Sequence, residues 1–266
     1  MKSTPLLLAA IAALAAGGLV TSASGSGAPL NGVFDTGCRY SHTAPDDPLV
    51  HPGRPGASHM HDFFGNRATD ARSTGRRLLD TPATATSTTC GDKRDRSGYW
   101  APTLYQDGRR LAPEKVHVYY RHHAAVPAKP FPLGFGMIAR QHFWSCGPGS
   151  AKYRNGTVPA CPNGRLFVVL SFPACWDGVR LFSQDGSHVS HGGKRCDAAH
   201  PVRIPRLAML LSYRVDGRSH AYTLASGNAQ TAHADFLNAW EPGRLAQLVE
   251  ACLSHGRTPN CEQDAS

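Results

Sequence analysis

Val116-His-Val-Tyr-Tyr120 decides the class of fold. Its residues are β-branched or aromatic and alternate apolar with polar, the period-two pattern of a half-buried strand. Runs of similar character follow at 134–139, 166–172, 207–215 and 221–225, most of them bounded by Gly or Pro. Tyr213-Arg-Val-Asp-Gly217-Arg-Ser-His-Ala-Tyr222 reads as a hairpin closed by an Asp-Gly turn. One helix is expected: after Trp240-Glu-Pro-Gly243, the residues Leu245, Leu248, Val249 and Cys252 recur at helical spacing and stop before Gly256. Residues 25–110 are rich in Gly, Pro, Ser, Thr and Arg with little periodicity, and read as long loops of the functional kind. The expected architecture is therefore mainly β: one β-sandwich-like domain over 33–262 with long loops and a short C-terminal helix, with a sandwich favoured over a barrel.

The first residues read as an export signal. Lys2 gives the positive start, Leu6 to Val20 form the apolar run, and Ser22-Ala-Ser24 fits the small-residue cleavage rule. Residues 1–24 are expected to be a signal peptide, with Ala28 a second cleavage candidate and 25–32 a flexible segment before the domain. The apolar run is short for a membrane span, and no other stretch is long enough to cross. A secreted, extracellular protein with no membrane span follows as the expectation.

The eight cysteines all lie beyond the signal, and an even count in an exported chain argues for four disulfides. Sequence proximity pairs them as Cys38–Cys90, Cys146–Cys161, Cys175–Cys196 and Cys252–Cys261. A zinc-cysteine site is disfavoured because no Cys-x-x-Cys pair exists. The net charge is +9, but lysine and arginine are scattered singly or in twos, without aromatic interleaving. That pattern fits a solvated surface attracted to anionic wall polymers and excludes a nucleic-acid footprint.

The chemistry concentrates in two short strings. In Ser58-His-Met-His-Asp-Phe-Phe-Gly-Asn66, His59 and His61 point to one side if the chain is extended. Far downstream, His233 and Asp235 repeat the spacing in Thr231-Ala-His-Ala-Asp-Phe-Leu-Asn238. Imidazole and carboxylate in such pairs suit a divalent zinc, copper or iron ion; a hydrogen-bonded network holding loops in register is the plain alternative. Neither Gly25 nor Pro29 supplies the N-terminal histidine that certain copper oxygenases need.

Several strings occur together and in order: Asp47-Pro-Leu-Val50, the His59 string, Phe172-Pro-Ala-Cys-Trp-Asp-Gly178, Ser187-His-Val-Ser190, His200-Pro-Val-Arg-Ile-Pro205 and His233-Ala-Asp-Phe-Leu-Asn238. In these the chain resembles a secreted domain of filamentous fungi and actinomycetes, the domain-of-unknown-function family nineteen-ninety-six, over most of its length. Fungal members sometimes sit beside WSC modules, so the resemblance implies a carbohydrate or cell-wall setting, and it implies no particular reaction. Relatives commonly carry an acidic, lysine-bearing stretch where this chain has Leu181-Phe-Ser-Gln-Asp-Gly186.

Other candidates are weighed on their own residues. Trp176 reads as core filling against a disulfide or as a stacking platform for a sugar ring. Asp177, before Gly178, reads as a turn residue or a proton donor. His188 and Ser190 share one side of an expected strand and His191 the other, so His191 is a candidate general base and His188, with Asn238, a candidate ligand contact. No Gly-x-Ser-x-Gly elbow supports a serine hydrolase. His122-His123 and His142 read as surface or strand-edge residues, and Asn155-Gly-Thr157 as a glycosylation sequon.

Two functions remain. One is a metal-assisted hydrolase or lyase on a wall polysaccharide, with His59, His61, His233 and Asp235 holding the ion and His191 or Asp177 moving protons. The other is a non-catalytic carbohydrate-binding protein. Either is expected to act as a monomer on an extracellular polymer.

Overall fold

The computed structural model describes residues 1, 30–124, 126–254 and 261. The expected signal lies outside the described residues except for Met1, as do residues 25–29. Residues 30–32, expected to be flexible, instead open the first strand.

In chain order the first elements are β1 (Leu30–Ala44), β2 (His61–Gly65), the short helix α1 (Gly75–Leu79), β3 (Gly98–Pro102), β4 (Leu104–Gln106), β5 (Arg109–Leu111) and β6 (Pro113–Ala124). Next come β7 (Gly136–Ala139), β8 (Gln141–Ser145), β9 (Arg165–Ser171), β10 (Cys175–Trp176), β11 (Val189–Ser190), β12 (Val202–Arg203) and β13 (Arg206–Arg214). The chain ends in β14 (Tyr222–Leu224), β15 (Gly227–Asn228), β16 (Ala234–Leu237) and α2 (Pro242–Leu248), which runs on as a π-helical turn over Val249–Ser254. The protein is mainly β, and the expected strands at 116–120, 134–139, 166–172, 207–215 and 221–225 each meet one of these elements.

Nine strands form one antiparallel sheet in the order β7-β16-β3-β2-β1-β6-β13-β9-β8. Its pivot is β1. Residues 30–39 of β1 pair with β6, while Tyr40 to Ala44 pair with β2, across a register shift between Tyr40 and His42. A bulge bends and twists a strand, so the two halves of the sheet face each other as a sandwich. The packing shows it: on β6 the inward Val116, Val118 and Tyr120 are fully buried, and Tyr120 meets Tyr99 of β3 hydroxyl to hydroxyl at 2.7 Å. Phe34 of β1 stacks on Tyr120 at 4.5 Å, and Phe236 of β16 stacks on Tyr99 at 5.4 Å. Where β1 passes the C-terminal helical turn it has no room for a side chain: a Cβ on Gly32 would lie 2.0 Å from the Cys252 carbonyl oxygen.

A buried chain of hydrogen bonds ties the two halves. Trp240 Nε1 donates to the Tyr120 hydroxyl at 2.8 Å. Tyr99 donates to Asp95 Oδ2 at 2.8 Å, which leaves Tyr120 as the donor between the two tyrosines. Asp95 ends the chain, fully buried, and also accepts from the Ser97 amide.

Four disulfides staple the sandwich with the expected pairing: Cys38–Cys90, Cys146–Cys161, Cys175–Cys196 and Cys252–Cys261. The first closes a separation of 52 residues and by loop entropy is worth about 4 kcal/mol. No helix among the described residues is long and apolar enough to cross a membrane.

Two expectations change. The region expected to be long loops instead carries β1 through β5, over residues 30–111, and part of the core, because β1 and β3 are sandwiched between neighbours and need no clean alternation to hold. The Asp216-Gly217 turn exists, with Gly217 at φ 81°, but it closes no hairpin. β13 pairs with β6 and β9, whereas β14 pairs with β4 and β15. His220, bonded to both Asp107 and Asp216, turns the chain out toward the smaller sheet.

Tyr120→Phe leaves the Trp240 N–H and a Tyr99 partner unsatisfied, and is expected to destabilise by about 1–3 kcal/mol in urea unfolding. Burial raises the Asp95 carboxyl to about 7, against opposing hydrogen bonds from Tyr99 and Ser97. Its folded value lies above its ordinary one, so its contribution is fully present below about pH 4 and is lost as pH rises through about 7. Asp95→Asn is expected to flatten the stability profile over that window, and an unchanged profile would contradict this assignment.

Candidate metal centre

Period two builds the site. His59 precedes β2 and His61 opens it, so both rings fall on one side of the extended chain; their centroids lie 4.2 Å apart. His233 precedes β16, and Asp235, its second residue, falls on the same side again. β3 lies between β2 and β16 and sets the register: His61 faces Pro102, and Asp235 faces Trp100, two residues along. His61 and Asp235 therefore share the outer face of the sheet, beside the small cluster of Phe63, Trp100, Leu49 and Leu237. Asp62 points the other way, accepting from Thr43 at 2.6 Å and from Arg110 at 2.7 Å.

The loop from 45 to 60 covers this face. Asp47, buried on that loop, folds it by accepting from the Leu49 and Val50 amides at 2.8 and 2.9 Å. The result is a cleft of about 430 Å³ lined by Asp47, His51, Ser58, His59, Arg140, Gln230, Thr231, His233 and Asp235.

Within the cleft the imidazoles converge. The His233 ring lies 5.1 Å from His59 and 5.8 Å from His61. One ligand nitrogen from each of the three lies within 4.8 Å of the others, and one oxygen each from Asp47 and Asp235 forms a second such group with His61. The tautomers of two rings are fixed from behind. His61 Nδ1 lies 3.0 Å from the Asp46 carbonyl, and His233 Nδ1 lies 2.9 Å from the Thr231 carbonyl. A carbonyl only accepts, so each ring donates from Nδ1 and presents the Nε2 lone pair to the cleft. That arrangement is how metal-binding histidines are held.

Several polar atoms of this cluster make no hydrogen bond, although His233 Nε2 approaches Asp235 Oδ2 to 3.8 Å. Nε2 of His59, Nε2 of His61 and both oxygens of Asp235 are buried without a hydrogen bond, a rare condition for buried polar atoms. Burial drives the electrostatics. It holds His61 well below the ordinary imidazole value, with His59 and His233 adding to the effect. It lowers His59 against the pull of Asp47 and brings His233 down to about 4. Asp235 is pushed well above the carboxylate range by burial and then by the Asp47 charge, with Arg140 opposing. Asp47 is itself raised by burial. Imidazoles held below their ordinary value beside two carboxyls held above theirs form a donor set that can exchange carboxyl protons for a divalent cation.

The other sequence candidates lie elsewhere. Asp177 folds a turn, accepting from the Val179 and Arg180 amides and pairing with the Arg180 side chain at 2.7 Å. Trp176 Nε1 donates to the Arg180 carbonyl, and its ring packs edge-on against Phe135. His188 is buried, donating from Nε2 to the Gly136 carbonyl at 2.9 Å while Nδ1 faces Ser183. The Asn238 amide is spent on the Phe131 and Pro132 carbonyls. His191 lines a different, smaller cleft beside His142 and Arg206. None of these five lines the histidine cleft. Two residues that do, Asp47 and Arg140, were not among the sequence candidates. Asp47 opens one of the quoted family strings, which was its only signal; Arg140 carried none.

Comparison with known families places the chain: residues 47–240 match the model of a domain of unknown function, DUF1996. The chain belongs to that family. No curated protein and no solved structure matches it.

Histidine tautomers give a direct check. Long-range proton–nitrogen correlation spectra of the metal-free protein are expected to show His61 and His233 protonated at Nδ1; protonation at Nε2 would contradict the geometry.

Proposed function

We propose that this protein is an exported, metal-assisted hydrolase or lyase acting on a carbohydrate polymer of a cell wall. The observation that carries the reading is the convergence of the three imidazoles, two with Nε2 lone pairs set by backbone carbonyls, against a buried Asp235 that makes no hydrogen bond and lies 3.8 Å from His233 Nε2. Three histidines with a carboxylate form a nitrogen–oxygen donor set that suits a divalent cation, and its place beside a cleft gives water or substrate a route to the ion. A cation held there supplies a Lewis acid and lowers the pKa of water bound to it. Asp235 completes the ligand set, and Asp47 takes the proton-transfer role first assigned to His191 or Asp177. Ser58, Gln230 and Thr231 offer hydrogen bonds to hydroxyl-rich rings, and Arg140 offers a cation at the rim.

The non-catalytic alternative finds less support. A sugar-stacking module needs an exposed aromatic face. Trp100, Trp144 and Trp240 are fully buried, and Tyr153 is the one aromatic among the exposed large apolar residues described. Export itself is supported by the leader-like residues 1–24 and by four disulfides, which persist in oxidising compartments.

Calorimetric titration of untagged, dialysed protein with Zn²⁺ is expected to give one site per chain. His61→Ala and the milder His59→Gln should each weaken it by about 10-fold to 100-fold or more, with near-ultraviolet dichroism unchanged. Release of reducing ends from wall polysaccharides should then depend on the added ion. Equal Zn²⁺ binding by wild type and both variants would overturn the proposal.

A further inference from the structure

A second cleft, distinct from the histidine site, gathers positive charge and no negative charge. It has a volume of about 420 Å³, and its charged lining is Arg121, Lys194, Arg203 and Arg206, beside His122. None of the residues lining it is acidic.

Two side chains in it are buried with unused donor or acceptor atoms. Arg203 is only 6% exposed; its Nη2 donates to the Gly193 carbonyl at 3.0 Å, while its Nε is buried without a partner. His122 is 5% exposed, and its Nε2 is likewise buried without one. It is buried on β6, an inner strand of the sheet, and so is not the surface or strand-edge residue that the sequence suggested. A buried guanidinium ordinarily finds a carboxylate, because leaving its N–H groups unpaired costs more than for a neutral donor. Here its charged neighbours are further cations. Burial and the Arg206 charge both pull Arg203 below the usual guanidinium value.

The position is built rather than incidental. Arg203 ends β12, whose partner β10 is fixed by the Cys175–Cys196 disulfide. Its own carbonyl accepts from the Lys129 amide at 2.8 Å, and the next amide, of Ile204, donates to the Ala174 carbonyl. The disulfide also pins the loop that carries Lys194. Gly192 on that loop sits at φ 56°, where a Cβ would come within 2.4 Å of Cys175 Sγ. Arg206, opposite Arg121 across the β13–β6 pairing, holds the far side. Backbone and disulfide thus pre-set the cations before any ligand arrives, which removes much of the ordering cost of binding.

We infer that this cleft binds a phosphate or sulfate oxyanion through Arg203, Lys194 and Arg206. Planar guanidinium forks match the oxygen spacing of such groups. The same charge suits a free ion or an anionic unit along a polymer. The lining favours a path for a polymer: Arg206 also lines the neighbouring cleft with Arg154 and Gln141, and Gln141 follows Arg140 of the histidine cleft in sequence. The inference does not rest on the metal proposal.

The test uses the full chain, dialysed free of metal so that the histidine site contributes nothing. Titration with inorganic phosphate, followed by calorimetry, is expected to show saturable binding at one site. Arg203→Met should abolish it. If that variant unfolds, the exposed pair Lys194→Gln with Arg206→Gln should weaken binding about tenfold or more while leaving the fold intact. Polyphosphate binding more tightly per chain than phosphate identifies a polymer as the ligand; equal affinity identifies the free ion. Phosphate binding that is absent in the wild type, or unchanged in folded variants, overturns the inference.

Discussion

One strand serves two sheet halves, and the rest of the molecule follows from that constraint. β1 runs 15 residues and changes partner at its bulge, from β6 to β2. The bend brings Tyr99 over Tyr120 and encloses the main core. It also fixes which face of β2, β3 and β16 looks outward. On that outward face the i, i+2 pairs at His59/His61 and His233/Asp235 come together, although some 170 residues of chain separate them. Antiparallel pairing through β3 leaves no freedom in the register, since a slip by one residue would turn His61 inward and Asp62 out.

The stability of such a site has a cost that the core must offset. Each buried polar atom without a partner costs on the order of 1–3 kcal/mol, and the histidine cleft holds several of them around one point. The surrounding structure over-determines their positions. Backbone carbonyls hold two rings from behind, Phe63 and Trp100 pack beside them with centroids 5.7 Å apart, and Asp47 anchors the covering loop. Sites that violate local rules while their supports satisfy them are where function concentrates. The cross-sandwich chain from Trp240 to Asp95 contrasts with this: it is a polar network of similar depth in which the side-chain donors are matched by acceptors.

The sequence made some of this legible and hid the rest for physical reasons. Alternation in Val116-His-Val-Tyr-Tyr120 exposed β6 because one of its faces is fully buried and the other half-buried. Nearby cysteines paired with each other because short loops close most readily. The two short histidine and aspartate strings announced themselves through period-two spacing, which needs only an extended backbone to become a shared face. β1 went unread because Gly32, Asp35, Gly37 and Arg39 interrupt its pattern, and its stability comes from partners on both edges. Asp47 and Arg203 were marked only by the family strings that contain them, because their burial is created by loops and disulfides, not by neighbours in sequence. His188, Asn238 and Asp177 looked chemical for the opposite reason: polar side chains that satisfy loop backbone have the same composition as polar side chains that bind ligands.

The most direct measurement is X-ray absorption at the zinc edge on protein loaded with one equivalent of Zn²⁺, joined to anomalous diffraction from the same preparation. The account predicts a shell with imidazole backscattering at about 2.0 Å and a single anomalous peak between the rings of His59, His61 and His233. A shell without imidazole, or a peak at surface histidines such as His123 or His220, would contradict it.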